Sequence, residues 1–123
     1  MRLHIKDFQR FEKQIILKKI GLAGQKKISS AKVLIIGVGG LGCPLITYLA
    51  SSGIAKIGIA DDDIVELGNL NRQTLFDLSD INKYKVDRAK IKINRINKKI
   101  KVKSFKTKVS QKNIKSIIKN FEI

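Results

Sequence analysis

Arg72 and Lys85 are two cations that follow a glycine loop and an acid, and that order suits a polyphosphate. The loop is Gly37-Val38-Gly39-Gly40-Leu41-Gly42, in which Gly37, Gly39 and Gly42 fill a G-x-G-x-x-G spacing. Glycines there let the backbone approach a phosphate, and the N-terminus of the following helix then faces it. Asp61 ends the next apolar run, where a carboxylate can hydrogen-bond a ribose hydroxyl. Asn69-Leu70-Asn71-Arg72-Gln73 then supplies amide and guanidinium donors, and Lys85 supplies an ammonium. Such groups hold phosphate oxygens and offset the charge that builds during phosphoryl or nucleotidyl transfer. Hydride transfer has no need of them. The loop and Asp61 alone fit a nicotinamide dinucleotide as well as ATP; the donors that follow favour the triphosphate. An NAD(P)-binding oxidoreductase domain remains the alternative, as does a module that binds a nucleotide or a partner without turnover.

These residues need elements to carry them. Residues 32–36 are apolar after the first, as in a central parallel strand. Residues 41–52 predict a helix with Pro44 in its first turn and Gly53 as its stop. Residues 56–60 predict a second strand, closed by Asp61-Asp62-Asp63, which completes a βαβ unit. Upstream, apolar residues at 8, 11, 15, 16 and 20 predict a helix over 8–20, broken by Gly21 and Gly24, with a short helix over 25–31. Residues 64–82 are polar and turn-rich with no clean period. Residues 84–96 place Val86, Ala89, Ile93 and Ile96 on one helical face. Residues 100–109 alternate in part and predict a third strand, bulged near Ser104. Ser110 is expected to cap a last helix with Ile114, Ile117, Ile118 and Phe121 inward. A further strand should begin at Phe121-Glu122-Ile123, because a doubly wound sheet wants more than three.

The expected fold is therefore α/β: a Rossmann-like, doubly wound, mainly parallel sheet with N-terminal helices. It divides into a helical segment over 1–31 and a partial nucleotide-binding domain over 32–123, cut off rather than finished.

Composition sets outer bounds. A chain of 123 residues is one domain or part of one, with a modest core. The formal net charge of +16 comes almost wholly from lysine, with few arginines and little aromatic interleaving. A solvated lysine-rich surface is the preferred reading. An acidic protein partner and then nucleic acid follow it. No apolar stretch is long enough to span a membrane, and the N-terminus lacks a signal-peptide pattern. The cytoplasm is the default. One cysteine, Cys43, excludes an internal disulfide and a multi-cysteine zinc site in this chain, and no metal-ligand set is assigned.

Arg10-Phe11-x-Lys13-Gln14-Ile15, Gly37-x-Gly39-Gly40-Leu41-Gly42, Asp61-x-Asp63, Asn69-Leu70-x-Arg72-Gln73 and Lys85 together resemble the ThiF/MoeB/HesA enzymes, bacterial relatives of ubiquitin-activating enzymes. The resemblance runs from residue 8 to about 109, and Asn-Leu-x-Arg-Gln is its most specific part. It implies MgATP and the C-terminal Gly-Gly tail of a ubiquitin-like sulfur carrier of thiamin or molybdopterin synthesis. The tail carboxylate attacks the α-phosphate to give an acyl-adenylate and pyrophosphate. A carboxylate is ionised at pH 7, so no general base is required; the sole histidine, His4, is assigned no role.

Carried over by position, the resemblance puts Gly40 in the nucleotide loop and Asp61 on the ribose, with Asp63 among the nucleotide-binding residues. It puts Asn69, Arg72 and Lys85 on the phosphates and Gln73 in support. Lys13 occupies a position that is usually arginine, a finger into the partner subunit's ATP site, which implies a homodimer. Lysine keeps the charge and loses the planar fork. Asn82 stands where glycine is usual, and asparagine tolerates a left-handed backbone. Cys43 reads as a packed residue, because the family's reactive cysteine lies further along. The family's magnesium-site aspartate, zinc cysteines and carrier groove would lie beyond Ile123, leaving the first half of an adenylation site.

Overall fold

The computed structural model describes residues 2–123. Its order is α1 (Ile5–Ile15), α2 (Gly21–Ile28), β1 (Lys32–Ile36), α3 (Gly42–Ser52), β2 (Lys56–Ala60), α4 (Lys85–Ile96), β3 (Lys101–Phe105) and α5 (Ile114–Ile118). Short 3₁₀ turns at Leu67–Asn69 and Leu78–Asp80 interrupt the loop between β2 and α4. The sheet is parallel throughout, in the order β1-β2-β3. This is the Rossmann-like α/β architecture that the strand–glycine–helix–strand pattern predicts.

The period of two decides which strand residues are buried. Val33 and Ile35 stand in register with Ile57 and Ile59. All four pack in one core with Ile46 and Ala50 of α3 and Val86, Ala89 and Ile93 of α4. Burying each large aliphatic contributes roughly 1.5–3 kcal/mol. Gly53 ends α3 at φ +93, and the Phe11 ring of α1 fills the space a Cβ would need, 2.4 Å from it. The opposite face of the sheet takes Phe121, whose ring lies where a side chain on Gly58 would stand.

The outer edge of β1 is engaged too. Leu34 N–H donates to Ile123 O at 2.8 Å, and Glu122 N–H donates to Lys32 O at 2.9 Å. Residues 122–123 therefore lie beside β1 on the side away from β2, where the alternating pattern calls for a further strand.

Several local expectations need correction. The first helix covers Ile5–Ile15, not 8–20, because the Asp7 carboxylate accepts from His4 N–H and starts it early. It buries Asp7 and Phe11, while Phe8 and Ile16 face outward. Gly21, at φ +57, makes the break; Gly24 lies inside α2. β1 is buried on one face only, with Ile36 exposed. β3 stops at Phe105 without a bulge, and Ser104 pairs in register with Ile59. Its last carbonyl accepts from Asp61 N–H, and beyond Asp61 the neighbouring chain turns away. Ser110 does not cap the last helix by its side chain. Asn113 Oδ1 instead accepts from Ser110 N–H at 2.8 Å, and Ile118 is exposed.

Candidate nucleotide site

The site begins at the C-terminal end of β1. Gly37 takes φ +93, and its N–H donates to Ala60 O at 2.8 Å, which ties the turn to β2. A Cβ on Gly42 would sit 2.1 Å from Gly37 O, so the start of α3 rests directly on the turn. Only glycine permits that approach.

Asp61 holds the loop from the next strand. Its Oδ2 accepts from Val38 N–H at 2.7 Å and its Oδ1 from Asp63 N–H at 2.8 Å. Each oxygen keeps a second lone pair, so a pair of hydroxyl donors can still be bound. Beside it, Gly37, Asp61 and Thr107 line a cleft of about 310 Å³ across the strand ends.

The segment after β2 folds back onto the glycine loop. Asn69 O accepts from Gln73 N–H at 2.8 Å and from Arg72 N–H at 3.2 Å, and Asn69 Oδ1 accepts from Glu66 N–H at 2.9 Å. That turn delivers two side chains to two glycines. A Cβ on Gly40 would lie 3.7 Å from Arg72 Cγ, and one on Gly39 would lie 4.0 Å from Gln73 Nε2. Gln73 is 4% exposed, and its Oε1 has no partner among the described residues. A buried amide oxygen without a partner carries a real cost, which only a group that donates a hydrogen bond, such as a hydroxyl or an amine, can relieve. Arg72 is exposed, with Nη1 donating to Gly68 O and Asn71 Oδ1, both at 3.0 Å.

Lys85 completes the group. It is buried, its Nζ lies 3.6 Å from Asp63 Oδ2, and its backbone N–H donates to Asp63 O at 3.0 Å. With Asp63, Glu66 and Asn69 it lines a cleft of about 150 Å³. Asn82, just upstream, is left-handed at φ +65, as its place in a glycine position predicts.

One oxygen each of Asp61, Asp62 and Asp63 lies within 4.8 Å of the others. Both Asp61 oxygens already accept from backbone N–H groups, and the Lys85 ammonium faces Asp63. The Lys85 ammonium therefore competes with any other cation for Asp63.

Lys13 is not brought to this group. Phe11 packs on Gly53 and Gln14 Nε2 donates to Ser52 O, which seats α1 at the other end of α3 from the glycine loop. Cys43 is wholly buried, 3.8 Å from Val38 O, and burial raises its thiol above the ordinary range.

Sequence reasoning missed the clamp that holds the phosphate-side loop. Asp80 is fully buried, and its carboxylate takes Arg88 and, at 3.2 Å, Lys92, both from α4. Lys92 also reaches Asp77 at 2.7 Å, and Asp77 N–H donates to Asp80 Oδ2 at 2.8 Å. The signal was present: two acids three apart, then cations four apart on one face of the next helix.

Comparison with known proteins places the chain in a family. The ThiF family model matches residues 11–123. Adenylyltransferase and sulfurtransferase UBA4 of Vanderwaltozyma polyspora is 40% identical over 121 residues, covering 98% of this chain and 28% of that protein. The UBA4 protein of Eremothecium gossypii is 41% identical over 122 residues, again 98% and 28%. The chain thus spans just over a quarter of the length of these relatives. Among solved structures, PaaA superposes with a TM-score of 0.88 at 31% identity, over 97% of this chain and 40% of that one. The Escherichia coli tRNA N6-threonylcarbamoyladenosine dehydratase TcdA, solved in complex with AMP, superposes at 0.90 and 24% identity, over 97% and 48%. At that identity the likeness concerns the fold.

Proposed function

The chain belongs to the ThiF family, and from that premise we propose that it carries the ribose- and phosphate-binding half of an ATP-dependent adenylation site. The observation that carries this reading is the seating of Arg72 and Gln73 against Gly40 and Gly39. A cation and a buried amide stand beside a phosphate loop, and Lys85 and Asn69 share a cleft with Asp63. The close-packed glycine turn and the buried ammonium suit a nucleoside triphosphate.

In this reading Asp61 accepts from the ribose hydroxyls. Arg72, Lys85 and Asn69 donate to phosphate oxygens, and Gln73 braces the loop. The substrate is a protein or peptide C-terminal carboxylate, in the narrower form the tail of a ubiquitin-like sulfur carrier. A carboxylate oxygen bonds to the α-phosphorus as the bond to pyrophosphate breaks, giving the acyl-adenylate. No proton moves, so these residues contribute position and charge stabilisation. Mg²⁺ would accompany the triphosphate and offset its charge. Lys13, remote from its own loop, reaches a second subunit's site in a homodimer. Residues 1–31 form the helical segment and 32–123 the nucleotide-binding part.

Calorimetry with ATP and NAD⁺ side by side tests the nucleotide. ATP binding with weaker NAD⁺ binding is the expected result; the reverse overturns the reading. Pyrophosphate exchange then separates an adenylating enzyme from a module that only binds ATP.

A further inference from the structure

A cavity lies at the pole of the sheet opposite the glycine loop, and its charge is one-sided. It holds about 450 Å³ between the strand N-termini, α1 and the segment after α4. Small-molecule pockets span about 300–1,000 Å³. Leu3, Phe11, Ile54 and Ala55 provide apolar walls. Four lysines, Lys32, Lys56, Lys99 and Lys101, line it against a single acid, Asp7.

The sheet register adds a second observation. Lys32 pairs with Lys56, and Lys56 pairs with Lys101, so three lysines stand in one row across three strands. Like charges directly opposite one another destabilise a sheet. Lys32 finds Glu122 only at 3.9 Å, and Lys56 lies over the Phe121 ring at 4.7 Å. Lys101 has no acidic partner among the described residues. Asp7 does not relieve the row, because Lys99 already occupies it at 2.7 Å. Lys32 and Lys56 also line the neighbouring groove with Phe121 and Glu122, so among the described residues Lys101 is the lysine of this lining left without a partner beside the apolar chamber.

We propose that this cavity binds a monoanionic amphiphile, a carboxylate with an apolar chain, head towards Lys101 and chain against Phe11 and Ile54. Burying the chain supplies about 25 cal/mol per Å² of apolar surface, and the head relieves the lysine row. The site is separate from the nucleotide loop and does not depend on the adenylation reading.

The test is titration of the 123-residue chain with sodium decanoate, followed by calorimetry and by ¹H–¹⁵N spectra. Saturable one-to-one binding is expected, with shifts centred on Gly53–Ala55 and Lys99–Lys101 and none at Gly37–Gly42. Lys101→Glu should weaken it at least tenfold, whereas Lys26→Glu, on α2 and outside the cavity lining, should not. Decylamine, with the same chain and a cationic head, should fail to bind. Absence of saturable binding, equal binding of decylamine, or displacement by ATP overturns the proposal. So does light scattering that shows a dimer burying these residues, because the occupant would then be a second copy.

Discussion

The Asp61 carboxylate accepts a hydrogen bond from Val38 N–H at 2.7 Å, so the acid that ends β2 is tied to the glycine loop that ends β1. In the proposed function that one contact joins ribose recognition to phosphate recognition. Asp61→Asn replaces one acceptor oxygen by an NH₂, which then faces a backbone N–H of Val38 or Asp63. ATP affinity should fall about tenfold, a change of about 1.4 kcal/mol. A titration of both proteins by calorimetry checks this; equal affinities would remove Asp61 from the site.

Gly42→Ala and Gly40→Ala should part company. A Cβ at Gly42 meets Gly37 O at 2.1 Å, and one at Gly40 meets only the flexible Arg72 stem at 3.7 Å. The first should destabilise the fold by about 1–3 kcal/mol or more, the usual range of overpacking. The second should leave the urea midpoint unchanged and lower nucleotide affinity. Urea unfolding of both variants, with ATP titration of the second, distinguishes them.

Arg72 should contribute to nucleotide binding and little to folding, since its side chain is exposed and, among the described residues, bonds to Gly68 O and Asn71. Arg72→Ala should cost about 1.5–3 kcal/mol of phosphate binding, the worth of a charged hydrogen bond. Arg72→Lys should restore part of it, because the charge returns without the planar fork. Thermal melts should superpose for all three proteins.

Acid should undo the loop clamp. The Lys92 ammonium holds Asp77 well below the ordinary carboxylate range, and Lys99 lowers Asp7. Burial pushes Asp80 up, but the Asp77 N–H, Arg88 and Lys92 together outweigh it and leave it lowered. Groups lowered on folding contribute stability that is complete above their unfolded pKa, about 3.9. That stability is lost as pH falls through the lower folded values. Unfolding free energy should therefore be flat from about pH 8 to 5 and drop below about pH 4. Asp80→Ala strands Arg88 and should cost on the order of 3–5 kcal/mol at neutral pH. Urea titrations across pH check both statements.

Cys43 should resist alkylation while the protein is folded. Its side chain is fully buried, and burial raises the thiol, which lowers the thiolate fraction that reacts. Iodoacetamide labelling followed by mass spectrometry should show modification only in denaturant. Rapid labelling of native protein would contradict the packing described around Val38.

Much of the positioning was legible along the chain because it is local. Gly53 stops α3 and Asn82 turns left-handed for reasons of backbone sterics that a short window reveals. The spacing of Asp77 and Asp80 and of Arg88 and Lys92 was visible, but the burial of Asp80 was not, since it depends on how the loop packs against another element. The first helix was misplaced for a similar reason. Phe8 and Ile16 have the right spacing for a buried stripe, but the core receives Phe11 and the Asp7–Lys99 pair.

The amino-acid order by itself determined the elements and the candidate donors, because turn chemistry and hydrophobic period act between near neighbours. Gly37, Asp61, Arg72 and Lys85 are all named by it. Tertiary structure alone decided that Arg72 and Gln73 fold back onto Gly40 and Gly39, that Asp61 ties one strand end to another, and that Lys13 stands at the far pole. It also aligned Lys32, Lys56 and Lys101 across three strands. Those relationships join residues tens of positions apart, and only the packing of the sheet against α3 and α4 sets the distances between them.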